Sequence, residues 1–348
     1  MNVNIDKHLI HHSKNIKEAM FLLNQLAMDA ILFVIDEHEN LKGSLTDGDI
    51  RRGMLNGATL ETEVINIIHP NPKFTRRNAV NLEELIALRE KNFKIIPVLE
   101  AETDKIIDII NFRTQKSYLP IDVVIMAGGR GSRLWPLTKN TPKPLLKIND
   151  KSVIDYSIER LHKYGITNFH VSVNYLKEKV IRHLSKYDDH INFNIIEEEK
   201  PLGTIGVLHQ NINYNCDSVL VLNGDLISAI DFEMFYLDFI SKDADISILT
   251  IPWKVDVPYG IIESTDGVVS GLKEKPTYTY YANGGAYLIK RDILKYLPKD
   301  TFYNATDFVH LMMQKKKKVV SFPFKGYWLD IGSHEDFKRA QDEVNFSE

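Results

Sequence analysis

The sequence predicts an α/β protein in two parts: a helix-covered, mainly parallel sheet over residues 118–348, preceded by a smaller α+β unit over residues 1–117. Three observations carry this. Beyond "SYLPIDVVIM", short apolar strands alternate with helical patterns. The all-apolar "SVLVL" suits a strand buried on both faces of a parallel sheet. The first third of the chain reads twice, from Ile16 and again from Val80, roughly 64 residues on, a spacing that points to a duplicated unit.

Each copy of the repeat opens on an amphipathic helix, with Ala19, Leu22, Leu23 and Leu26 in the first and Leu82, Leu85 and Ile86 in the second. A short apolar strand follows (Ile31–Ile35; Ile95–Leu99), then a polar turn and a second strand. In the larger part, "IDVVIMA", "FHVSVN", "FNIIEE" and "SVLVLNGD" read as strands, while "SVIDYSIERLHKYG" and "YLKEKVIRHLSKY" have helical spacing.

A net charge of -4 excludes a global pull toward nucleic acid or anionic lipid, so any anion site must be local. The four lysines at 315–318 read as a solvated helix end. One cysteine, Cys216, excludes an internal disulfide framework and points to a reducing cytoplasm; it reads as inert packing. The first residues carry no long apolar stretch, so no signal peptide is expected. No run reaches the ~20 apolar residues of a membrane span. His8, His11 and His12, with no acidic or Cys partner nearby in sequence, read as a solvated stretch rather than a metal site.

The stretch "VVIMAGGRGSRLWPLTKNTPKPLLKI" carries the chemistry. After an apolar strand, Gly128, Gly129 and Gly131 let the backbone turn tightly and offer consecutive N–H groups to an anion. It is not a Walker A loop, since GxxxxGK[ST] is absent; nor a dinucleotide fingerprint, since Leu134 takes the last glycine's place. Arg133 and Lys143 add fixed charge suited to a polyphosphate. Pro136, Pro142 and Pro144 restrain the backbone around that lysine.

The whole string resembles the signature GGxGxRLxPLTxxxPKP of sugar-1-phosphate nucleotidyltransferases, met here at every fixed position from Gly128 to Pro144. The resemblance implies a Rossmann-like, GT-A-like domain. It implies that Ala127, Gly128, Gly129 and Gly131 wrap a nucleoside triphosphate, that Arg133 activates its phosphates and that Lys143 contacts phosphate. Asp225 in "VLVLNGD" and Asp330 in "YWLDIGS" match the family's two metal-binding aspartates, implying Mg²⁺ as cofactor. Between them lie "EKPLGTIG", implying nucleotide contacts at Gly203 and Thr204; "PYGIIE", implying a sugar contact at Gly260; "LKEKP", implying Glu274 at sugar hydroxyls and Lys275 at the sugar phosphate; and "YANGGAYLI", implying a sugar contact at Asn283.

The N-terminal repeat resembles a tandem cystathionine-β-synthase-type (CBS) pair. "GSLTDGDIRRGML" is close to that family's G-x-x-T-x-x-D-h-R, implying that Thr46 and Asp49 hold the ribose of an adenine nucleotide. The second copy departs, with Asn111 and Thr114 at those places. An allosteric nucleotide sensor and a degenerate dimerisation module both remain open. The combined architecture resembles glucosamine-1-phosphate guanylyltransferases of bacterial legionaminic acid pathways, implying GTP and glucosamine 1-phosphate as substrates and a homo-oligomer. Trp135 in "RLWPL" agrees with guanine, whereas "TPKPLL" looks like thymidylyl- and uridylyl-transferases. Mannose-1-phosphate guanylyltransferase is the near alternative, and a catalytically silent sensor of sugar nucleotides the alternative of another class. Loss of Arg133, Lys143 or either aspartate would mark that sensor, and all four are present.

Overall fold

In the computed structural model, which describes residues 5–77, 79–187, 191–209 and 212–343, the chain divides into two compact units. The first holds residues up to Pro120 with Leu161–Ile166; the second holds Ile121–Arg160 and the chain from Thr167 onward.

Duplication in the sequence reappears as duplication of topology. The first copy runs β1 (Leu9–His11), α1 (Ile16–Leu26), β2 (Leu32–Ile35), β3 (Leu41–Leu45) and α2 (Asp47–Leu55). The second runs β4 (Thr75–Arg76), α3 (Leu82–Glu90), β5 (Ile95–Leu99) and β6 (Ile106–Asn111). In each, the first strand lies parallel to the second and the third pairs antiparallel with it. α1 starts where Asn15 and Glu18 form a capping box, and α3 starts where the Asn81 side chain accepts from the Glu84 N–H at 3.1 Å. Ile16, Ala19 and Leu23 are buried with Leu32, Val34 and Leu45 in the first copy; Leu85 and Leu88 are buried with Ile96, Val98 and Ile110 in the second. Phe33 joins Ile95, Leu99 and Ile109 in a core shared by both copies. The copies differ after their last strand: α2 follows β3, but a turn follows β6.

The reading of the early histidines needs correction. His8 is 3% exposed and its Nδ1 lies 2.9 Å from the Ile31 carbonyl, while burial holds its pKa below the ordinary histidine value. His12 Nε2 sits 2.9 Å from Glu37 Oε1, an acidic partner supplied by the fold from 25 positions away.

The second unit begins with β7 (Asp122–Met126), a small ribbon of β8 (Lys147–Ile148) and β9 (Lys151–Ser152), and α4 (Val153–His162). β10 (Asn168–Val173), α5 (Lys177–Leu184), β11 (Asn192–Glu197), β12 (Ser218–Asn223), β13 (Leu226–Ser228) and α6 (Phe232–Ser241) follow. Then come β14 (Ile246–Asp256), β15 (Ile261–Thr265), β16 (Val268–Lys273), β17 (Thr277–Lys290), α7 (Ala305–Gln314), β18 (Val319–Pro323), β19 (Trp328–Asp330) and α8 (His334–Glu343). Seven strands form one sheet in the order β11-β10-β7-β12-β17-β14-β18. Four of its six pairings are parallel; only β17 runs against its neighbours, so the sheet is mainly parallel as expected. The five residues of "SVLVL" in β12 are all buried. Helices cover the sheet with Val180, Phe235, Phe239, Phe308 and Met312 turned inward. The lysine run follows the end of α7 and is mostly exposed, as expected of a solvated helix end. Cys216 is partly buried, and its N–H donates to Asp122 Oδ2 at 2.7 Å. Among the described residues, no helix is long and apolar enough to cross a membrane.

Candidate active site

The site grows out of the strand order. From β7 the chain moves to β10 and β11 on one side, then returns to place β12 on the other. Such a reversal leaves a crevice at the carboxyl ends of the strands, where open α/β sheets bind ligands. The glycine-rich loop leaves β7 at this point, and the turn carrying Asp225 leaves the adjacent β12.

Local chemistry fixes both loops. Gly131 has φ +60°, and a Cβ there would lie 3.0 Å from Thr138 Cγ2 and 3.1 Å from Lys143 Cβ. Thr138 Oγ1 closes the loop by donating to the Gly131 carbonyl at 2.7 Å. Leu134 is fully buried with Leu146, Ile148, Val153, Leu329 and Ile331, so the signature's leucine is a core anchor. Trp135 is 54% exposed, and His334 Nε2 lies 2.9 Å from its carbonyl oxygen. Gly224 lets the β12 turn come close to β7: its N–H donates to the Met126 carbonyl at 2.9 Å, and a Cβ there would fall 2.7 Å from that oxygen.

Asp225 and Asp330 meet because β13 and β19 pair antiparallel with Leu226 opposite Asp330; the Ile331 N–H also donates to the Asp225 carbonyl at 3.1 Å. Lys143, 8% exposed, is set between the two carboxylates. Its ammonium donates to Asp225 Oδ2 and lies 3.4 Å from Asp330 Oδ1. Burial pushes the Asp330 carboxyl above its ordinary range, the Asp225 charge adds to this, and Lys143 and Arg133 oppose it. Asp225 Oδ1 is buried with no hydrogen-bond partner. A buried carboxylate oxygen without a donor costs free energy, which a bound cation would offset. Two carboxylates sharing one lysine, with an oxygen left over, fit a hard divalent cation.

A cavity of about 310 Å³ opens beside this cluster, lined by Thr204, Asn283 and Asp330 together with Asn223, Tyr287 and Trp328. Thr204 Oγ1 accepts from the Ala305 N–H at 2.8 Å, and Gly203 packs against the Tyr303 backbone. Asn283 Oδ1 accepts from the Gly285 N–H at 3.0 Å while its Nδ2 donates to the Tyr287 hydroxyl at 2.5 Å. Gly260 and Glu274 come together at the β15–β16 hairpin, where a Cβ on Gly260 would meet Glu274 Oε2 at 3.0 Å; Lys275 follows with φ +43°. These three do not line the cavity holding Asn283. Thr46 and Asp49 lie in the first unit, where Asp49, Arg52, Asn56, Asn66 and His69 line a cavity of about 480 Å³. There Asp49 Oδ2 accepts from the Thr46 N–H at 2.8 Å and from its hydroxyl at 2.6 Å, a capping box at the start of α2.

Sequence reasoning missed Glu198. It is 8% exposed, accepts from the Ser172 hydroxyl and from the Leu202 N–H at 2.8 Å, and its Oε1 lies 3.0 Å from where a Gly128 Cβ would be. Its backbone carbonyl accepts from Asn174 Nδ2 at 2.6 Å. Glu198 thus clasps the start of the 199–206 loop against β10, beside the glycine-rich loop. In sequence it is the last residue of the strand-like "FNIIEE" and belongs to no motif.

With this geometry in place, the comparisons with known proteins agree in kind. The profile of the family described as nucleotidyl transferase matches residues 122–346. A mannose-1-phosphate guanyltransferase of Debaryomyces hansenii is 32% identical over 229 residues, covering 62% of this chain and 62% of that one. A glucose-1-phosphate adenylyltransferase of Bacillus subtilis is 30% identical over 240 residues, covering 60% of this chain and 63% of that one. The solved structure of HddC from Yersinia pseudotuberculosis complexed with GMP-PN aligns with a TM-score of 0.51 at 26% identity, covering 64% of this chain and 98% of that one. The chain thus spans less than two thirds of the length of the two curated relatives.

Proposed function

Because the chain belongs to the nucleotidyl transferase family, we propose that it transfers a nucleotidyl group from a nucleoside triphosphate to a sugar 1-phosphate, releasing pyrophosphate and forming an NDP-sugar. GTP and glucosamine 1-phosphate are the proposed pair. The observation that carries the reading is the meeting of Lys143, Asp225 and Asp330 beside the glycine-rich loop at the sheet's switch point.

In this reading an oxygen of the sugar 1-phosphate attacks the α-phosphate in line as pyrophosphate leaves. The attacking oxygen is already anionic, so no general base is required, and the protein's contribution is positioning and charge neutralisation. Gly128, Gly129 and Gly131 present backbone N–H groups to the triphosphate, and Ala127, whose own N–H donates to the Ser172 carbonyl at 2.8 Å, anchors the start of that loop against the nucleotide. Arg133 and Lys143 offset its charge, and Lys275 offsets that of the sugar phosphate. Gly203 and Thr204 flank the nucleotide; Gly260, Glu274 and Asn283 recognise the sugar. Nucleotidyl transferases of this family generally use a divalent metal; here Asp225 and Asp330 would hold Mg²⁺, which supplies Lewis-acid stabilisation of the phosphate oxygens when bound. Exposed Trp135 and the guanyltransferase relative support guanine, while the adenylyltransferase relative shows that the shared framework serves more than one base. Mannose 1-phosphate is the second reading of the acceptor, favoured by the name of the Debaryomyces relative.

The N-terminal unit is proposed as a CBS pair, in which Thr46 and Asp49 would hold the ribose of an adenine nucleotide; Asp49 lines the 480 Å³ cavity, and its present bonds to Thr46 and Arg52 would be exchanged for those to the ribose. A cytoplasmic homo-oligomer completes the proposal. Pyrophosphate release measured with four NTPs crossed against glucosamine, mannose and glucose 1-phosphates tests it. The highest kcat/KM is expected for GTP with glucosamine 1-phosphate; release with none of the twelve pairs would end the reading.

A further inference from the structure

We propose that His11, His12 and Glu37, at one end of the first repeat's sheet, form a site for a borderline divalent d-block cation, zinc(II) by class. This assignment stands apart from the nucleotidyl transfer reading. One donor atom from each of the three side chains lies within 4.8 Å of the other two. Zinc with bonds of about 2.0–2.2 Å places tetrahedral donors roughly 3.3–3.5 Å apart, within reach of small side-chain rotations. Two imidazoles and a carboxylate are a zinc donor set, and three protein ligands leave a fourth position for water.

The backbone brings these groups together for identifiable reasons. β1 runs parallel to β2 with His11 opposite Ile35, and the His12 N–H donates to the Ile35 carbonyl at 2.9 Å. Both histidines therefore emerge beside the turn that begins at Asp36. That turn is held by its own side chain: Asp36 Oδ1 accepts from the His38 and Asn40 N–H groups, each at 2.9 Å, and Oδ2 pairs with Lys42 at 2.9 Å. Glu37 is thus presented from a fixed turn, and His12 Nε2 already lies 2.9 Å from its Oε1. The two rings sit with centroids 4.4 Å apart and planes 37° apart. His11 Nδ1 lies 2.8 Å from the Ser13 hydroxyl and accepts from the Ser13 N–H at 3.4 Å, contacts that hold the ring in place beside His12.

The test uses the whole chain without a polyhistidine tag. Zinc is titrated in competition with a chromophoric chelator, and the bound ion is characterised by X-ray absorption. A site with an imidazole-nitrogen signature is expected. His12→Ala and Glu37→Gln should each weaken it by about tenfold or more, and His38→Ala should leave it unchanged. Asp225 and Asp330 offer only oxygen donors, so an oxygen-only signature assigns the zinc to that cluster and overturns the proposal. Affinity unchanged in His12→Ala, or no zinc bound by the parent, overturns it equally.

Discussion

Asp29 and Asp49 in the first unit, and Asp225 and Asp330 in the second, are the same residue type in opposite circumstances. Asp29 is fully engaged: Arg113 donates from Nε at 3.0 Å and from Nη2 at 2.7 Å, and Asn111 donates at 3.0 Å. Arg113 first, and Asn111 with it, hold its pKa below the usual range against the cost of burial. Asp49 spends Oδ2 on Thr46 and Oδ1 on Arg52 at 2.5 Å. Asp225 instead keeps a buried oxygen with no donor, and Asp330 is held above its usual range. Satisfied carboxylates tie the fold; unsatisfied ones cost stability and are available to a ligand.

The contrast can be broken most strongly at Lys143. Lys143→Ala should slow turnover by about 10²–10³-fold. It should also lower Tm, because two carboxylates then face each other, and millimolar divalent cation should recover part of that loss; a Tm unresponsive to the cation would break the contrast. Next comes Glu198→Ala. Leaving the Leu202 N–H unpaired should cost about 1–3 kcal/mol by denaturant unfolding and raise KM for the nucleotide more than it lowers kcat, as expected if the clasp positions a loop. In the first unit, Asp29→Ala should cost about 1–3 kcal/mol, since it strands Asn111, and Asp49→Ala about 1 kcal/mol, the worth of a cap. Equal losses at the two sites would remove the distinction between tie and cap.

Asp330→Asn has the smallest expected effect on stability, and its sign is what decides. A carboxyl whose folded pKa exceeds its unfolded value loses stability as pH rises from the unfolded value to the folded one, and the deficit is fully present above the latter. The asparagine variant should therefore melt above the parent at neutral pH. The advantage should fade as pH falls into the ordinary carboxylate range, where both proteins are neutral there. A variant that melts below the parent at neutral pH would contradict the assigned direction.

Much of this was legible in the sequence where the signal is local. Helix periodicity located α1 and α3, apolar runs located β5, β7 and β12, and the repeat anticipated two copies of one sheet. Convergence was not legible from spacing. Asp225 meets Asp330 through two three-residue strands, too short to show a period, and only resemblance placed both aspartates at one site. Glu198 was missed because it falls where the strand "FNIIEE" meets the loop "EKPLGTIG", and its burial depends on Ser172 of β10 and the Leu202 N–H of that loop. Glu37 escaped for the same reason: its neighbours in space come from β1. The histidine stretch was misread as solvated because sequence distance said nothing about parallel strand pairing.

The central claim, that the unsatisfied aspartates are held for a divalent cation in nucleotidyl transfer, rests most directly on Asp225→Asn. Its rate of pyrophosphate release and its Tm should be measured side by side with the parent. The account predicts a rate loss of about 10³-fold with Tm little changed, since Lys143 keeps Asp330 as a partner. Full rate, or a collapse of Tm that accounts for the lost rate, would contradict it.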